Sequence, residues 1–168
     1  MKPSSWIIEH MQHLKAGSTV LDLACGKGRH TALLLDKGFR VCAVDIDTEH
    51  VTNLTKEYIK QGACEIVSLD LEKSSEWPLT QKFNGIIVTN YLHRPIMQHI
   101  ADALLPGGVL IYQTFMQGNE AFGKPSNPKF LLEEDELKNT FGQGFELIAF
   151  SQGEDNNSVK QQICVRKI

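Results

Sequence analysis

The stretch Asp22-Leu23-Ala24-Cys25-Gly26-Lys27-Gly28 constrains this chain more than any other. The apolar run Thr19–Ala24 reads as a compact buried strand, and it opens directly into a loop carrying Gly26 and Gly28. Residues without a β-carbon let the backbone turn tightly and let a ligand approach it closely. A helical pattern follows over His30–Asp36, with Leu33, Leu34 and Leu35, and stops at Gly38. In open α/β sheets the ligand crevice lies beyond the carboxyl ends of the strands. The loop therefore stands where a nucleotide-like cofactor belongs.

The rest of the chain repeats that alternation. A helix over Ser5–Leu14 is predicted to bury Trp6, Ile7, Met11 and Leu14. Strand Arg40–Val44 ends at Asp45. A helix over Thr48–Gln61 has Val51, Leu54, Tyr58 and Ile59 as its expected inner side. Strand Glu65–Leu69 ends at Asp70, and Phe83–Thr89 forms a fourth strand around Ile86-Ile87-Val88. Helix Ile96–Leu105 is stopped by Pro106-Gly107-Gly108, and Val109–Phe115 is a fifth strand. Glu133–Phe141 reads as a helix with acids at its start, as the helix dipole favours. Phe145–Gln152 and Val159–Arg166 close the chain as a hairpin through the polar Gly153–Ser158. The expected fold is α/β: a Rossmann-like, doubly wound, mostly parallel seven-stranded sheet with a C-terminal antiparallel hairpin. At 168 residues this suits a single domain over 1–168. Met116–Lys129, with Gly118, Gly123, Pro125 and Pro128, breaks the pattern just beyond the fifth strand. Loops of that length in compact domains are usually functional or mobile. It is a candidate lid, with Phe122 and Phe130 as its apolar anchors.

Composition narrows the partners. With 42% hydrophobic and 22% charged residues, the chain needs no disulfide or metal to fold. A formal charge of −3 provides no global positive field, so nucleic-acid substrates are disfavoured. The basic pair Arg166-Lys167 reads as a solvated strand end. Cys25, Cys42, Cys64 and Cys164 form no Cys-x-x-Cys pair and show no zinc spacing with histidine. They read as small buried residues of a reduced, cytoplasmic protein, and no metal site is expected. Met1–Leu14 carries Glu9, His10 and His13 and does not read as a signal peptide. No apolar stretch approaches membrane-spanning length.

The loop alone fits two cofactors. A nicotinamide fingerprint, Gly-x-Gly-x-x-Gly, would need a third glycine where Thr31 stands. It would also place a pyrophosphate beside Asp22, an unwelcome acid. A sulfonium amino acid carries positive charge at its sulfur and its amine, and Asp22 suits that ligand. Asp45, at the end of the neighbouring strand, stands where an acid meets ribose hydroxyls in such folds. Its carboxylate can accept from both hydroxyls. For either Asp22 or Asp45 taken singly, helix capping is the plain alternative. Asp70 can accept from an adenine amino group while Leu71 packs on the ring; an exposed loop acid is the alternative there.

In that order, Asp22–Gly28, Asp45, Asp70-Leu71 and the Pro106-Gly107-Gly108 turn resemble the motifs of class I S-adenosylmethionine-dependent methyltransferases. The resemblance covers nearly the whole chain. Compactness and the Gly28-Arg29 continuation are similar to the small tellurite-resistance-type group within that superfamily. The resemblance implies S-adenosylmethionine as cofactor and methyl transfer as activity. It places the methionine portion against Gly26 and Gly28, the ribose on Asp45 and the adenine on Asp70 and Leu71, with Asp22, Ala24, Cys25 and Ile46 among the cofactor-binding residues. Arg29 would reach the methionine carboxylate, or else stand as an exposed helix residue.

The fourth strand runs out into Thr89-Asn90-Tyr91-Leu92-His93-Arg94-Pro95, which would face the transferred methyl. Asn90 can hold the cofactor's amine. Tyr91 and His93 are the expected catalytic residues, His93 as a general base near neutral pH; the alternative is that His93 only opens the next helix. Enzymes that methylate adenine or glutamine amides carry an Asn/Asp-Pro-Pro-aromatic motif at this strand end. Here Tyr91 and Leu92 occupy the proline positions, which argues against those acceptors. In the fifth strand Tyr112 and Thr114 should share one face, and Gln113 and Phe115 the other. The expected acceptor is a small molecule. Two readings compete: a non-catalytic S-adenosylmethionine-binding partner module, and an NAD-type oxidoreductase. The oligomeric state is not legible.

Overall fold

Hydrophobic alternation along the strands builds two cores, one on each face of a single sheet. The computed structural model describes residues 1–73 and 77–168. Its strands are β1 (Thr19–Leu23), β2 (Arg40–Asp45), β3 (Cys64–Ser68), β4 (Phe83–Thr89), β5 (Leu104–Phe115), β6 (Phe145–Asp155) and β7 (Ser158–Lys167). They form one seven-stranded sheet in the order β3-β2-β1-β4-β5-β7-β6. The β1–β2, β1–β4, β2–β3 and β4–β5 pairs are parallel, while β7 runs antiparallel to both β5 and β6. The expected Rossmann-like sheet and its closing antiparallel pair are both present.

Helices cover both faces. Leu21, Leu23, Ile86, Val88, Leu110 and Tyr112 point to one side, where helix α5 (Met97–Ala103) and helix α6 (Glu136–Thr140) pack through Met97, Ile100 and Leu137. Val20, Val41, Ala43, Ile87 and Ile111 point to the other. There they meet α1 (Ser5–His10) through Ile7, α2 (Arg29–Asp36) through Leu34 and Leu35, and α3 (Glu49–Leu54) through Val51. Central parallel strands are buried on both faces, so they read as continuous apolar runs. Asp22 is the exception in β1. The chain order reverses between β1 and β4, and that switch point is where a crevice opens at the strand ends.

Several elements differ from expectation for identifiable reasons. The helix expected over Thr48–Gln61 is two pieces, α3 and α4 (Lys56–Lys60). At the junction the Thr55 hydroxyl donates back to the Val51 carbonyl at 2.7 Å, a bond that competes with regular helix geometry. Thr55 is buried there and Leu54 is exposed, the reverse of the expected inner side. The helix expected over Ile96–Leu105 is a 3-10 turn, Arg94–Ile96, followed by α5; Leu104 instead pairs with Phe83 as the start of β5. Gly108 keeps that corner possible, since a β-carbon would lie 2.8 Å from the Leu105 carbonyl. α6 is shorter than the expected Glu133–Phe141. The hairpin turn shrinks to Asn156-Asn157, at φ 45° and 67°. Two left-handed residues match the twist of flanking strands, so pairing extends through the segment expected to be a polar linker.

Candidate cofactor and acceptor site

β1 ends in a strained step. Ala24 sits at φ 55° and Asn90, at the end of neighbouring β4, at φ 54°. The left-handed region costs a non-glycine residue roughly 1–2 kcal/mol, less for asparagine. These two turns lie side by side at the switch point and shape the floor of the crevice. Gly28 closes the loop at φ 88°, and a β-carbon there would lie 2.6 Å from Val51 Cγ2. The loop therefore packs down on α3, and Gly28 must be glycine for packing as well as for the turn.

Asp45 holds the loop as well as facing the crevice. Its Oδ2 accepts from the Gly26 amide at 2.8 Å and its Oδ1 from the Asp47 amide at 3.1 Å. Each oxygen keeps a further lone pair. The Cys25 amide donates to the Val44 carbonyl and the Gly28 amide to the Cys25 carbonyl. With the Cys25, Gly26 and Gly28 amides committed in this way, they are not available to cradle a pyrophosphate. That argues against the nicotinamide alternative on geometry as well as on the missing glycine.

Asp22 lies beneath this loop. It is 1% exposed, and its Oδ2 accepts from the Thr31 hydroxyl at 2.6 Å. The residue standing where a nicotinamide fingerprint needs glycine thus becomes the acid's partner. Oδ1 is buried with no hydrogen-bond partner. Burial holds this carboxyl up at about 7; Asp45 pushes the same way and the Thr31 bond opposes it.

Three adjoining cavities run along the strand ends. The first, about 300 Å³, lies over β2 and β3 between Asp45, Ile46, Asp70, Leu71 and Glu72. Ile46 is 65% exposed, so an apolar surface stands open beside two carboxylates, as a purine and its ribose require. The second, about 360 Å³, lies over the β1 loop between Ala24, Cys25, Gly26, Arg29, Asp45 and Asn90. The third, about 370 Å³, lies beyond β4 and β5 between Glu72, Asn90, Leu92, Thr114, Phe115 and Phe130. Tyr91 lines all three. Its backbone is fixed by the Tyr112 hydroxyl, which donates to the Tyr91 carbonyl at 2.7 Å. Its own hydroxyl is buried without a partner. Burial first, then Glu72, Asp70 and Asp45, push that phenol up to about 12. Tyr91 is therefore a neutral hydrogen-bond donor at physiological pH, not a base.

The structure thus brings together Ala24, Cys25, Gly26, Arg29, Asp45, Ile46, Asp70, Leu71, Asn90 and Tyr91 along one crevice. Asp22 and Gly28 support it from below. His93 is not among the residues lining the three cavities; it precedes the Arg94–Ile96 turn, and its carbonyl accepts from the Ile96 amide. Arg29 lines the second cavity, but its Nη1 donates to the Lys2 carbonyl at 3.0 Å. The segment at Lys2–Ser4 is tied down further. The Ser4 amide donates to His30 Nε2 at 2.9 Å, and the Ser4 hydroxyl donates to Gln113 Oε1 at 2.7 Å. Burial drives the His30 imidazole down to about 4, so it is neutral and its Nε2 is free to accept. Long-range partners of this kind leave no local pattern in a sequence. Glu72, shared between the first and third cavities, was also not legible, because a single acid after Asp70-Leu71 has no periodic signature. In β5, Thr114 and Phe115 reach the third cavity, one from each expected face, while Tyr112 and Gln113 act as supports.

A doubly wound sheet with an acid-flanked glycine loop at its switch point defines a nucleotide-type cofactor fold of the methyltransferase kind. Residues 20–108 match the family model described as a methyltransferase domain, and the chain belongs to that family. Over 125 residues it is 30% identical to the tRNA U34 carboxymethyltransferase of Vibrio vulnificus, covering 68% of this chain and 37% of that protein. The chain thus spans well under half the length of this curated relative. Among solved structures, TehB from Haemophilus influenzae superposes with a TM-score of 0.79 at 18% identity, over 99% of this chain and 63% of that one. The 1,6-didemethyltoxoflavin-N1-methyltransferase of Burkholderia thailandensis, solved with 1,6-didemethyltoxoflavin and S-adenosylhomocysteine bound, gives 0.73 at 19% identity, over 96% and 76%. Both likenesses are of fold. Among the described residues no helix is long and apolar enough to cross a membrane, no cluster of metal-ligating side chains is present, and the four cysteines are free and buried.

Proposed function

We propose that this chain uses S-adenosylmethionine to methylate a small molecule. The observation that carries the reading is the division of one crevice into three compartments that meet at Tyr91. The first offers Asp45 to ribose hydroxyls and the Ile46 and Leu71 surfaces, with Asp70, to the adenine. The second offers the glycine loop, Asn90 and the free nitrogens of Arg29 to the methionine portion. Beneath it lies Asp22, whose Oδ1 is without a hydrogen-bond partner and whose ionised form suits a ligand bearing an amine and a sulfonium. The residues fit the cofactor. When bound, it supplies an activated methyl group that leaves a neutral thioether behind.

What the protein itself does is position and desolvate. Tyr91 separates the donor and acceptor compartments and offers a phenolic donor at their boundary. Asn90 faces both the second and third cavities. Holding the reacting partners at near-attack distance supplies most of the rate in such a reaction, because the leaving group needs no protonation. No general base at His93 enters this account: it lies outside the cavities, so His93→Ala retains activity within about threefold of the parent. A drop of a hundredfold at constant cofactor affinity would restore His93 to the chemistry.

The tRNA-directed relative suggests a second acceptor class. Against it stand the formal charge of −3 and the third cavity, where Glu72 is the charged lining residue. Incubation with radiolabelled S-adenosylmethionine and cell extract tests the choice. Label in the small-molecule fraction supports this reading; label confined to RNA replaces the acceptor class, and tight cofactor binding without any transfer favours a non-catalytic module.

A further inference from the structure

The third cavity carries information about what enters it. Its walls are aromatic: Tyr91, Phe115 and Phe130 line it, with Pro125 and Leu92 between them. Phe130 is 41% exposed, yet its backbone is clamped. Arg94 donates to the carbonyls on either side of it, Lys129 at 3.2 Å and Leu131 at 2.9 Å. The same guanidinium is held by Glu136 at 2.9 Å. The Asn127 side chain accepts from the Lys129 amide at 2.9 Å. Three hydrogen bonds thus hold the backbone on either side of Phe130, which fixes where its ring meets the cavity. Aromatic walls favour flat rings, which stack on them with large apolar contact.

The polar groups decide the charge of the occupant. Glu72 is the one acidic side chain among the described residues lining the cavity, beside Asn90, Thr114 and the unpartnered Tyr91 hydroxyl. Asp70 and Asp45 stand across Tyr91 in the first cavity. Lys160 lies 5.1 Å from the Phe115 ring centroid and is engaged with that ring. A carboxylate or phosphate placed here would meet the like charge of Glu72, and none of the described lining residues is a cation to offset it.

We propose that the third cavity is selective for a flat aromatic or heteroaromatic acceptor without negative charge, bearing an N–H or O–H that Glu72 accepts, and that Phe130 is the residue that selects for flatness. At about 370 Å³ it has room for one or two fused rings. The proposal rests on the methyltransferase reading and adds to it the chemistry of the acceptor.

The test uses protein loaded with S-adenosylhomocysteine and two probes of one shape, 7-hydroxyquinoline and quinoline-7-carboxylate, titrated by calorimetry and saturation-transfer NMR. The hydroxy probe is expected to bind at least about tenfold more tightly than the carboxylate. Phe130→Ala weakens it by about tenfold and leaves S-adenosylhomocysteine affinity unchanged, since Phe130 does not line the cofactor cavities. Glu72→Gln brings the two probes to within about threefold of each other. Equal or tighter binding of the carboxylate to the parent protein overturns the proposal. So does binding that Phe130→Ala does not change, or failure of both probes on protein that has taken up S-adenosylhomocysteine. If S-adenosylhomocysteine itself does not bind, the methyltransferase reading fails, and the proposal with it.

Discussion

Ala24 and Asp22 show opposite ways in which a single residue serves the crevice. Ala24 holds a left-handed angle that glycine would adopt without strain. Ala24→Gly should therefore raise thermal stability, by about 1 kcal/mol, with the loop geometry preserved; a loss of stability would mean that its methyl group packs more than its angle costs. Asp22 is a buried acid whose folded-state value, about 7, lies above its ordinary 3.8. Between those two pH values the folded protein keeps a proton that the unfolded chain gives up. The stability of the cofactor-free protein therefore falls as pH rises from about 4 to about 7, and the deficit persists above that. Asp22→Asn should flatten this dependence in denaturant titrations and stabilise the cofactor-free protein at pH 8 by about 1–3 kcal/mol, while weakening cofactor binding. A parent protein whose stability rises over that interval, matched by the variant, would refute the buried-acid account. None of this was visible in the residue string beyond the presence of an acid in an apolar strand, because burial and the Thr31 partner arise only when α2 packs on β1.

The element that departs most from regular structure, Met116–Lys129, is held differently from expectation. Phe122 and Phe130 were expected to anchor it, yet both are exposed, and Asn119 is the buried tie. Its side-chain amide donates to the Pro125 carbonyl at 3.0 Å and its oxygen accepts from the Val159 amide at 2.9 Å, linking the loop to β7. Asn119→Ala leaves that strand amide without its partner. The expected cost is about 1–3 kcal/mol, with a larger loss of ordering in the loop than in the sheet by hydrogen exchange. Unchanged protection of the loop would show that the segment is held by other contacts. Periodicity located the first four strands to within a residue, because buried parallel strands carry dense apolar runs, but it started the fifth five residues late and ended the sixth three residues early. It misjudged the helices at Thr55 and Leu104, where a side-chain hydrogen bond and a strand pairing override a helical pattern.

At the scale of the whole molecule, chain order places the crevice. Reversal of strand order between β1 and β4 brings Asp22–Gly28, Asp45, Asp70-Leu71 and Asn90-Tyr91 to one edge of the sheet, although they span much of the chain. That convergence was legible, since each motif sits at a strand end and a doubly wound topology gathers strand ends. The acceptor side was legible only in part: Pro125 and Phe130 belong to or adjoin the segment read as a candidate lid, whereas Glu72 comes from an irregular segment that only the folded chain brings to them. The central claim is that the glycine loop and Asp45 are built for a sulfonium nucleoside and not for a dinucleotide. Titration calorimetry of the parent and Asp45→Ala with S-adenosylhomocysteine and with NADH tests it most directly. The account predicts binding of S-adenosylhomocysteine at one site, a loss of about tenfold or more in Asp45→Ala, through both the ribose contacts and the freed Gly26 amide, and no binding of NADH. Binding of NADH without S-adenosylhomocysteine, or an Asp45→Ala affinity equal to the parent's, would contradict it.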